Sequence, residues 1–225
     1  MRVRYSWEMP ILGSAGGPRQ ALPLLGASTF LIANGDTLTD VDIGALVAAH
    51  RRSGALVTMA AVSNTEPRKY GGVVVGTDGA VTGFAGRGSS QASYHFVGLQ
   101  VAEAAAFASL NAGTPYESVA AVYPALISDR PGSVRAYVCT AEFLDIGTPN
   151  DYLRTSLLLA RRESGALLQG ARARVDPTAG HDAAAESPVL KALAAENARW
   201  AKVLSGSKLP AHYVAYQVQD RRVVI

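Results

Sequence analysis

Compact apolar runs and amphipathic stretches alternate along residues 1–163. Compact, mostly apolar runs at 28–33 and 55–62 are typical of strands buried on both faces of a sheet. Within 72–84, an Asp-Gly pair between two apolar stretches predicts a β-hairpin. Strands that alternate with helices predict the α/β class, with a doubly wound, mostly parallel sheet that has helices on both faces.

The helices have recognisable start and stop signals. Asp40 is the predicted cap of a helix that ends at Gly54. Pro149 is placed to begin another helix, which we expect to reach about Glu163, since proline is well tolerated in a first helical turn. These signals complete the predicted α/β domain of residues 1–163.

The character of the chain changes after this domain. Residues 164–187 are interpreted as a linker that contains a single turn resembling a β-helix coil, because the pattern does not repeat. Residues 188–225 are predicted to form a helix-strand appendage, with an amphipathic helix at 188–204. No motif in this appendage indicates its role.

Composition narrows the possible functions. The 225 residues are 48% hydrophobic, with a net charge of +3, so a folded core is expected and a basic nucleic-acid-binding surface is not. No apolar run is long enough to cross a membrane, and the polar N-terminus does not resemble a signal peptide, which predicts a cytoplasmic location. Cys139 is the single cysteine, so intrachain disulfides and cysteine-based metal sites are excluded.

Three segments that follow predicted strands could carry chemistry. Residues 12–17 are rich in glycine, which allows a ligand to approach the backbone, but the segment could also be an ordinary strand-to-helix turn. Asp36 and Asp145 each follow an apolar run, and each could instead be a capping residue. Ligands of open α/β sheets bind at the carboxyl ends of the strands. Two carboxylates there could share a Mg²⁺ ion, which takes one or two protein carboxylates and completes its shell with water and phosphate oxygens.

The order of these motifs resembles that of the sugar-1-phosphate nucleotidyltransferases. The resemblance covers about residues 1–160 and rests on Leu-Gly-Ser-Ala-Gly at 12–16, Asn-Gly-Asp at 34–36, Tyr-Gly-Gly-Val-Val at 70–74 and Asp-Ile-Gly-Thr-Pro at 145–149. It implies a Rossmann-like nucleotidyltransferase fold. It also implies an activity in which a hexose 1-phosphate attacks the α-phosphate of a nucleoside triphosphate and pyrophosphate leaves.

The resemblance also implies roles for individual residues. Asp36 and Asp145 would hold Mg²⁺. Residues Gly13, Ser14 and Ala15 would lie against the base, and Gly71 would approach the sugar. Arg87 stands where the family usually has the lysine of a Glu-Lys-Pro motif, and it could contact a phosphate or be a solvated loop residue.

The sequence also departs from the family pattern. The Gly-x-Gly-Thr-Arg-Leu loop, which grips the triphosphate in the family, does not occur in these residues. We therefore expect that the chain lacks the first β-α unit of the domain and is incomplete for catalysis. The alternative is a non-catalytic relative that binds a sugar nucleotide or a partner protein. A homo-oligomer is possible, and neither nucleic acid nor membrane is an expected partner.

Overall fold

The computed structural model describes residues 4–172, with side chains for residues 4–163. Its described part divides into two compact units, residues 4–143 and residues 144–172. The helices are α1 (Gly13–Leu25), α2 (Ile43–Ser53), α3 (Ala105–Ala108), α4 (Tyr123–Asp129), preceded by a π-helical turn (Ser118–Val122), and α5 (Pro149–Arg172). The strands are β1 (Thr29–Ala33), β2 (Thr37–Thr39), β3 (Val57–Ser63), β4 (Gly72–Val75), β5 (Val81–Ala85), β6 (Tyr94–Glu103), β7 (Val134–Val138) and β8 (Phe143–Asp145).

The main sheet of the first unit is mixed. Its strand order is β5-β4-β6-β3-β7, and β1 also pairs with β6. Strands β3 and β7 are parallel, whereas β6 runs antiparallel to β1, β3 and β4, and β5 runs antiparallel to β4. The α/β class is confirmed, but the expectation of mostly parallel ladders was wrong. Four strands do share one direction, yet β6 lies among them in the opposite one, and an apolar run reports burial rather than strand direction.

Helices cover both faces of this sheet. On one face, Val57 and Met59 of β3 pack in a core with Phe107 and Tyr123 from the α3 and α4 regions. The other face has its own core, in which Leu46 of α2 packs with residues of β3 and β6. The two sets of residues alternate along β3 and β6, because successive side chains of a strand point to opposite faces.

The predicted cap of α2 is shifted by two residues. Asp42, not Asp40, directly precedes the helix, and its Oδ1 accepts a hydrogen bond from Ala45 N–H at 2.9 Å. The Asp40 carboxylate instead accepts from Glu142 N–H at 2.6 Å. A capping side chain must reach the free N–H groups of the first helical turn, and Asp40 lies two residues before the residue that caps the helix.

The hairpin prediction is confirmed, since β4 and β5 pair antiparallel around the Asp-Gly turn. Helix α5 begins at Pro149 as predicted, but it continues to Arg172, so the proposed domain boundary at 163 falls within a helix. Most of the 164–187 linker and the whole 188–225 appendage lie outside the described residues. Within residues 4–172, no helix is long and apolar enough to cross a bilayer.

Candidate active site

The turn that carries Asp36 follows β1 and is seated closely on β6. Asn34 N–H donates to Gly98 O at 2.8 Å, and Gly98 has a φ of +80°. A Cβ atom at position 98 would lie 3.0 Å from both Asn34 Cβ and Thr37 Oγ1. Glycine therefore permits both the close approach and a backbone conformation that other residues rarely adopt.

The fold does not use the Asp36 carboxylate. The residue is half-buried, and its side chain makes no hydrogen bond or ion pair with any other residue between positions 4 and 172. The helix that follows is capped by Asp42. The alternative interpretation of Asp36 as a helix cap is therefore removed.

Asp145 ends β8 and begins a turn of its own. Its Oδ1 accepts from Gly147 N–H at 2.9 Å, and its carbonyl oxygen accepts from Thr155 Oγ1 at 2.9 Å. The start of α5 is satisfied by a different pair: Asp151 N–H donates to Thr148 Oγ1 at 3.1 Å, and Thr148 Oγ1 donates to the Asp151 carboxylate at 2.7 Å. Asp145 is therefore not the cap of this helix.

The chemistry of these two aspartates suits Mg²⁺. Both are half-buried carboxylates, which are the hard oxygen ligands this ion prefers. Asp36 belongs to the first unit and Asp145 to the second. In residues 4–172 no group of three or more His, Cys, Asp or Glu side chains is placed to hold a metal. A Mg²⁺ ion typically takes one or two protein carboxylates and completes its shell with water and phosphate oxygens.

The Gly13–Ala15 segment forms the start of α1 and packs tightly on the segment before the π-helical turn. Ala15 N–H donates to Tyr116 O at 2.9 Å. Ser14 Oγ donates to Glu117 Oε2 at 2.8 Å and accepts from Ser118 N–H at 2.8 Å. The hydroxyl of Ser14 therefore already has partners within the protein and could not bind a ligand without breaking these hydrogen bonds.

Position 13 also requires glycine for structural reasons. Gly13 has a φ of +74°, and a Cβ atom there would lie 2.6 Å from Glu117 Oε1 and 2.7 Å from Tyr116 O. Such distances are well below van der Waals contact. The glycine that suggested a ligand-facing turn is thus explained, at least in part, by packing between two remote segments.

Gly71 is exposed at the start of the hairpin, beside a second glycine that is more constrained. A Cβ atom at Gly71 would lie 3.2 Å from Ala85 O, whereas one at Gly72 would lie 2.0 Å from Ser93 Oγ. The sequence interpretation singled out Gly71 and missed Gly72. No pattern in the sequence signals Gly72, because Ser93 is 21 positions away.

Arg87 lies in the exposed loop after β5. Its guanidinium makes no hydrogen bond or ion pair with the rest of the described chain. The loop is attached to the turn before Gly71, because Gly88 N–H donates to Pro67 O at 2.8 Å. Gly71, predicted to approach the sugar, and Arg87, predicted to contact a phosphate, therefore lie on two connected loops.

An aromatic cluster near Gly71 was missed by sequence reasoning. The ring centroids of Tyr70 and His95 are 4.3 Å apart, and those of His95 and Phe143 are 4.4 Å apart. The ammonium group of Lys69 lies 4.7 Å from the centre of the Tyr70 ring. These residues come from three distant segments, so only the folded chain brings them together.

The Asp36 turn and the loop with Gly71 lie towards one edge of the sheet. Strands β1, β3 and β7 share a direction, so their carboxyl ends are on the same side. Asp36 follows β1 at that edge. Ser63, the last residue of β3, pairs with Tyr94 at the start of β6, and Tyr94 pairs in turn with Val73 in β4. The carboxyl edge of the first unit therefore carries the Asp36 turn and the loop with Gly71.

Polar turns gathered at the carboxyl edge of a mixed sheet, with helices on both faces, are typical of α/β domains that bind nucleotides and other small ligands there. The sequence profile of the nucleotidyl transferase family matches residues 1–162. The chain belongs to this family, and the predicted resemblance to sugar-1-phosphate nucleotidyltransferases is confirmed.

Two relatives show how far the similarity extends. The chain is 29% identical over 190 residues to mannose-1-phosphate guanylyltransferase of Mycobacterium tuberculosis, covering 84% of this chain and 52% of that protein. It is 28% identical over 186 residues to the catalytic subunit beta of mannose-1-phosphate guanylyltransferase from Drosophila pseudoobscura pseudoobscura, covering 78% of this chain and 49% of that protein. The chain thus spans about half the length of these relatives.

A solved structure supports the fold. The structure of HddC from Yersinia pseudotuberculosis complexed with GMP-PN superposes with a TM-score of 0.54 at 22% identity, covering 64% of this chain and 60% of that one. At this level of identity, the similarity bears on the fold alone.

Proposed function

We propose that this chain serves nucleotidyl transfer from a nucleoside triphosphate to a hexose 1-phosphate, giving a nucleotide sugar and pyrophosphate. The observation that carries the proposal is the Asp36 carboxylate, which a glycine-dependent turn holds at the carboxyl edge of a nucleotidyl transferase domain while the fold leaves it without a partner among the described residues. A group held in this way is available to a ligand.

Asp36 and Asp145 would together hold the Mg²⁺ ion. Both are half-buried carboxylates, the hard oxygen ligands that this ion prefers. The bound ion would neutralise charge on the reacting phosphate.

In the proposed reaction, an oxygen of the sugar 1-phosphate forms a bond to the α-phosphorus, and the bond to the bridging oxygen of the β-phosphate breaks. The start of α1 at Gly13–Ala15 would lie against the base through its backbone, since the Ser14 hydroxyl is bound to Glu117. Gly71 would allow the sugar to approach the hairpin. Arg87, whose charge is unpaired within the described chain, would contact a phosphate.

A second candidate is a non-catalytic relative that binds a nucleotide sugar. It is favoured by a departure from the family pattern, since Gly86, Arg87 and Gly88 stand in place of Glu-Lys-Pro. Both candidates bind a nucleotide sugar, but only the first releases pyrophosphate. For either candidate function we predict a cytoplasmic location.

Pyrophosphate release tests the proposal. With Mg²⁺, each nucleoside triphosphate, and mannose or glucose 1-phosphate, we expect the 225-residue chain to stay near background. Each missing donor to an anionic transition state costs about 10²–10³ in rate. Fusing a first β-α unit from a family member, with its Gly-rich loop, should raise the rate by orders of magnitude.

In the fused protein, Asp36→Ala and Asp145→Ala should each abolish turnover, whereas Asp129→Ala, an exposed aspartate at the end of α4, should not. Robust turnover by the unfused chain would contradict the expected need for the loop. Full activity of either site variant would contradict the metal assignment.

A further inference from the structure

A cavity of about 340 Å³ lies between α2 and the sheet of the first unit. Its walls are the end of α2, the starts of β3 and β7, and the tip of the β4–β5 hairpin, which contribute Arg52, Ser53, Thr58, Arg135, Asp78 and Gly79. Because the parallel strands β3 and β7 both begin here, the cavity lies towards the amino edge of the sheet, opposite the edge that carries the Asp36 turn. Its volume is within the range of small-molecule sites.

Arg135 is held in place by the tip of the hairpin. Its guanidinium group donates to Asp78 O, and its Nη1 atom lies 3.7 Å from Asp78 Oδ2. The tip is in turn joined to β7, because Ala136 N–H donates to Gly79 O at 3.0 Å. A guanidinium group has five N–H donors, so these contacts leave donors for a ligand.

Arg52 brings a second positive charge to the same cavity. Its guanidinium group makes no hydrogen bond or ion pair with any residue whose side chain the structure describes. Asp78 is the one carboxylate among the cavity-lining residues, and it already lies beside Arg135. The charge of Arg52 is therefore uncompensated, and the cavity favours an anion.

The hydroxyl groups of the cavity already have partners. Ser53 Oγ donates to His50 O at 2.8 Å and accepts from Ala55 N–H at 3.2 Å, and Thr58 Oγ1 lies 2.9 Å from His50 Nδ1. The groups left for a ligand are the guanidinium N–H donors, which bind carboxylates and phosphates. One guanidinium group is enough for the two oxygens of a carboxylate, whereas a phosphate group has oxygens for two. The pair of arginines therefore favours phosphate.

We propose that this cavity is a second ligand site, in which Arg52 and Arg135 bind the phosphate group of a small phosphorylated metabolite. Free phosphate shares this chemistry, but the volume of the cavity favours the larger ligand. The site goes beyond the proposed nucleotidyl transfer, because a ligand at the amino edge does not meet the Asp36 turn. Its binding can be measured without any turnover.

Isothermal titration calorimetry of the full chain with glucose 6-phosphate tests the proposal. Glucose is the neutral control, and inorganic phosphate is the smaller anion. At low ionic strength we expect a dissociation constant between about 0.1 and 10 mM for glucose 6-phosphate, and no binding of glucose. Inorganic phosphate should bind at least about 5-fold more weakly, because it makes fewer contacts in the cavity.

Three variants locate the bound anion. Arg52→Gln should weaken binding of glucose 6-phosphate about 10-fold or more, because a hydrogen bond from a charged donor is lost. Arg51→Gln is the matched control, since it removes the same charge from the same helical turn but does not line the cavity, and it should stay within about 2-fold of the parent.

Asp78→Asn should instead tighten binding about 2–5-fold, because it removes a carboxylate charge that repels the phosphate. Asn-Gly suits a hairpin turn as well as Asp-Gly does, so the tip should keep its conformation. A gain in affinity cannot result from damage to the fold. Each variant is compared with the parent by far-ultraviolet circular dichroism, so that unfolding is not mistaken for loss of binding.

Four results would overturn the proposal. The first is no binding of glucose 6-phosphate up to about 50 mM, well above the weakest expected constant. Binding that survives Arg52→Gln but is lost in Arg87→Gln would place the phosphate at the loop near Gly71. Equal weakening by Arg51→Gln and Arg52→Gln would indicate general charge attraction. Equal affinities for inorganic phosphate and glucose 6-phosphate would assign the cavity to free phosphate.

Discussion

Two turns of the first unit were expected to serve the site, one against the base and one as a ligand of Mg²⁺, and their polar groups are in opposite situations. In Gly13–Ala15, the Ser14 hydroxyl is held between Glu117 and Ser118, and the glycine has no room for a side chain. The Asp36 turn is held to β6 by a backbone hydrogen bond, and its carboxylate has no partner among the described residues. The difference separates a turn that stabilises the fold from one that offers a group to a ligand.

The largest effect should come from Gly13→Ala, which tests the structural role of the first turn. A left-handed backbone costs about 1–2 kcal/mol for a residue with a Cβ atom, and crowding against Glu117 and Tyr116 adds about 1–3 kcal/mol. Urea unfolding should show a loss of about 3–4 kcal/mol. The matched control is Gly26→Ala at the other end of α1, where φ is +63° and a Cβ atom would meet nothing within 4 Å. Equal losses in the two variants would contradict the tight packing.

Gly98→Ala should have a smaller effect and acts on the second turn. Its φ of +80° carries the same backbone cost, but the nearest contacts of a Cβ atom, with Asn34 and Thr37, are at 3.0 Å. We expect a loss of about 2–3 kcal/mol in urea unfolding. Gly54→Ala, with φ +61° and open space around it, is the control and should lose only about 1 kcal/mol. Stability equal to that of the control would show that the Asp36 turn is not closely seated on β6.

Ser14→Ala should cost less again, about 1–2 kcal/mol, because it leaves the buried Ser118 N–H without its acceptor. Ser89→Ala, in a half-buried loop position, provides a comparison at which a serine hydroxyl accepts from Gln91 N–H at 3.1 Å. Thermal unfolding followed by circular dichroism measures both. A neutral Ser14→Ala would mean that the hydroxyl is available to a ligand after all.

Asp36→Asn should have almost no effect on stability, within about 0.5 kcal/mol of the parent in urea unfolding. No hydrogen bond or ion pair of the carboxylate within residues 4–172 is lost in this variant. Asp151→Asn is the contrasting variant, since the buried Asp151 carboxylate accepts from Thr148 and Arg154, and it should destabilise clearly. A large loss of stability in Asp36→Asn would show that this carboxylate supports the fold. The proposed difference between the two turns would then be contradicted.

Element type was largely predictable from the sequence, whereas strand direction was not. Buried runs predicted β1 and β3, and the Asp-Gly pair predicted the hairpin, because these signals are local. Strand β2 has only three residues, Thr37–Thr39, which is too short for a pattern. The antiparallel course of β6 depends on which strands flank it, and periodicity carries no such information.

The candidate site was predictable where a residue follows a strand. Asp36 and Asp145 were found from their positions after apolar runs. The cluster of Tyr70, His95 and Phe143 joins three remote segments, so no local sequence pattern predicts it. Gly13 illustrates the opposite error, since a glycine-rich turn looks ligand-facing in sequence while its packing partner lies about 100 positions away.

The most direct test of the account is whether Asp36 and Asp145 hold one ion together. The electron paramagnetic resonance signal of free Mn²⁺, a spectroscopic substitute for Mg²⁺, measures binding to the full chain without requiring turnover. We predict a single site that Asp36→Asn and Asp145→Asn each weaken at least about 10-fold, as expected when a hard cation loses one of two carboxylates. The double variant should be little worse than either, and Asp129→Asn should match the parent. No Mn²⁺ site in the parent, or a site sensitive to one of the two aspartates alone, would contradict the account.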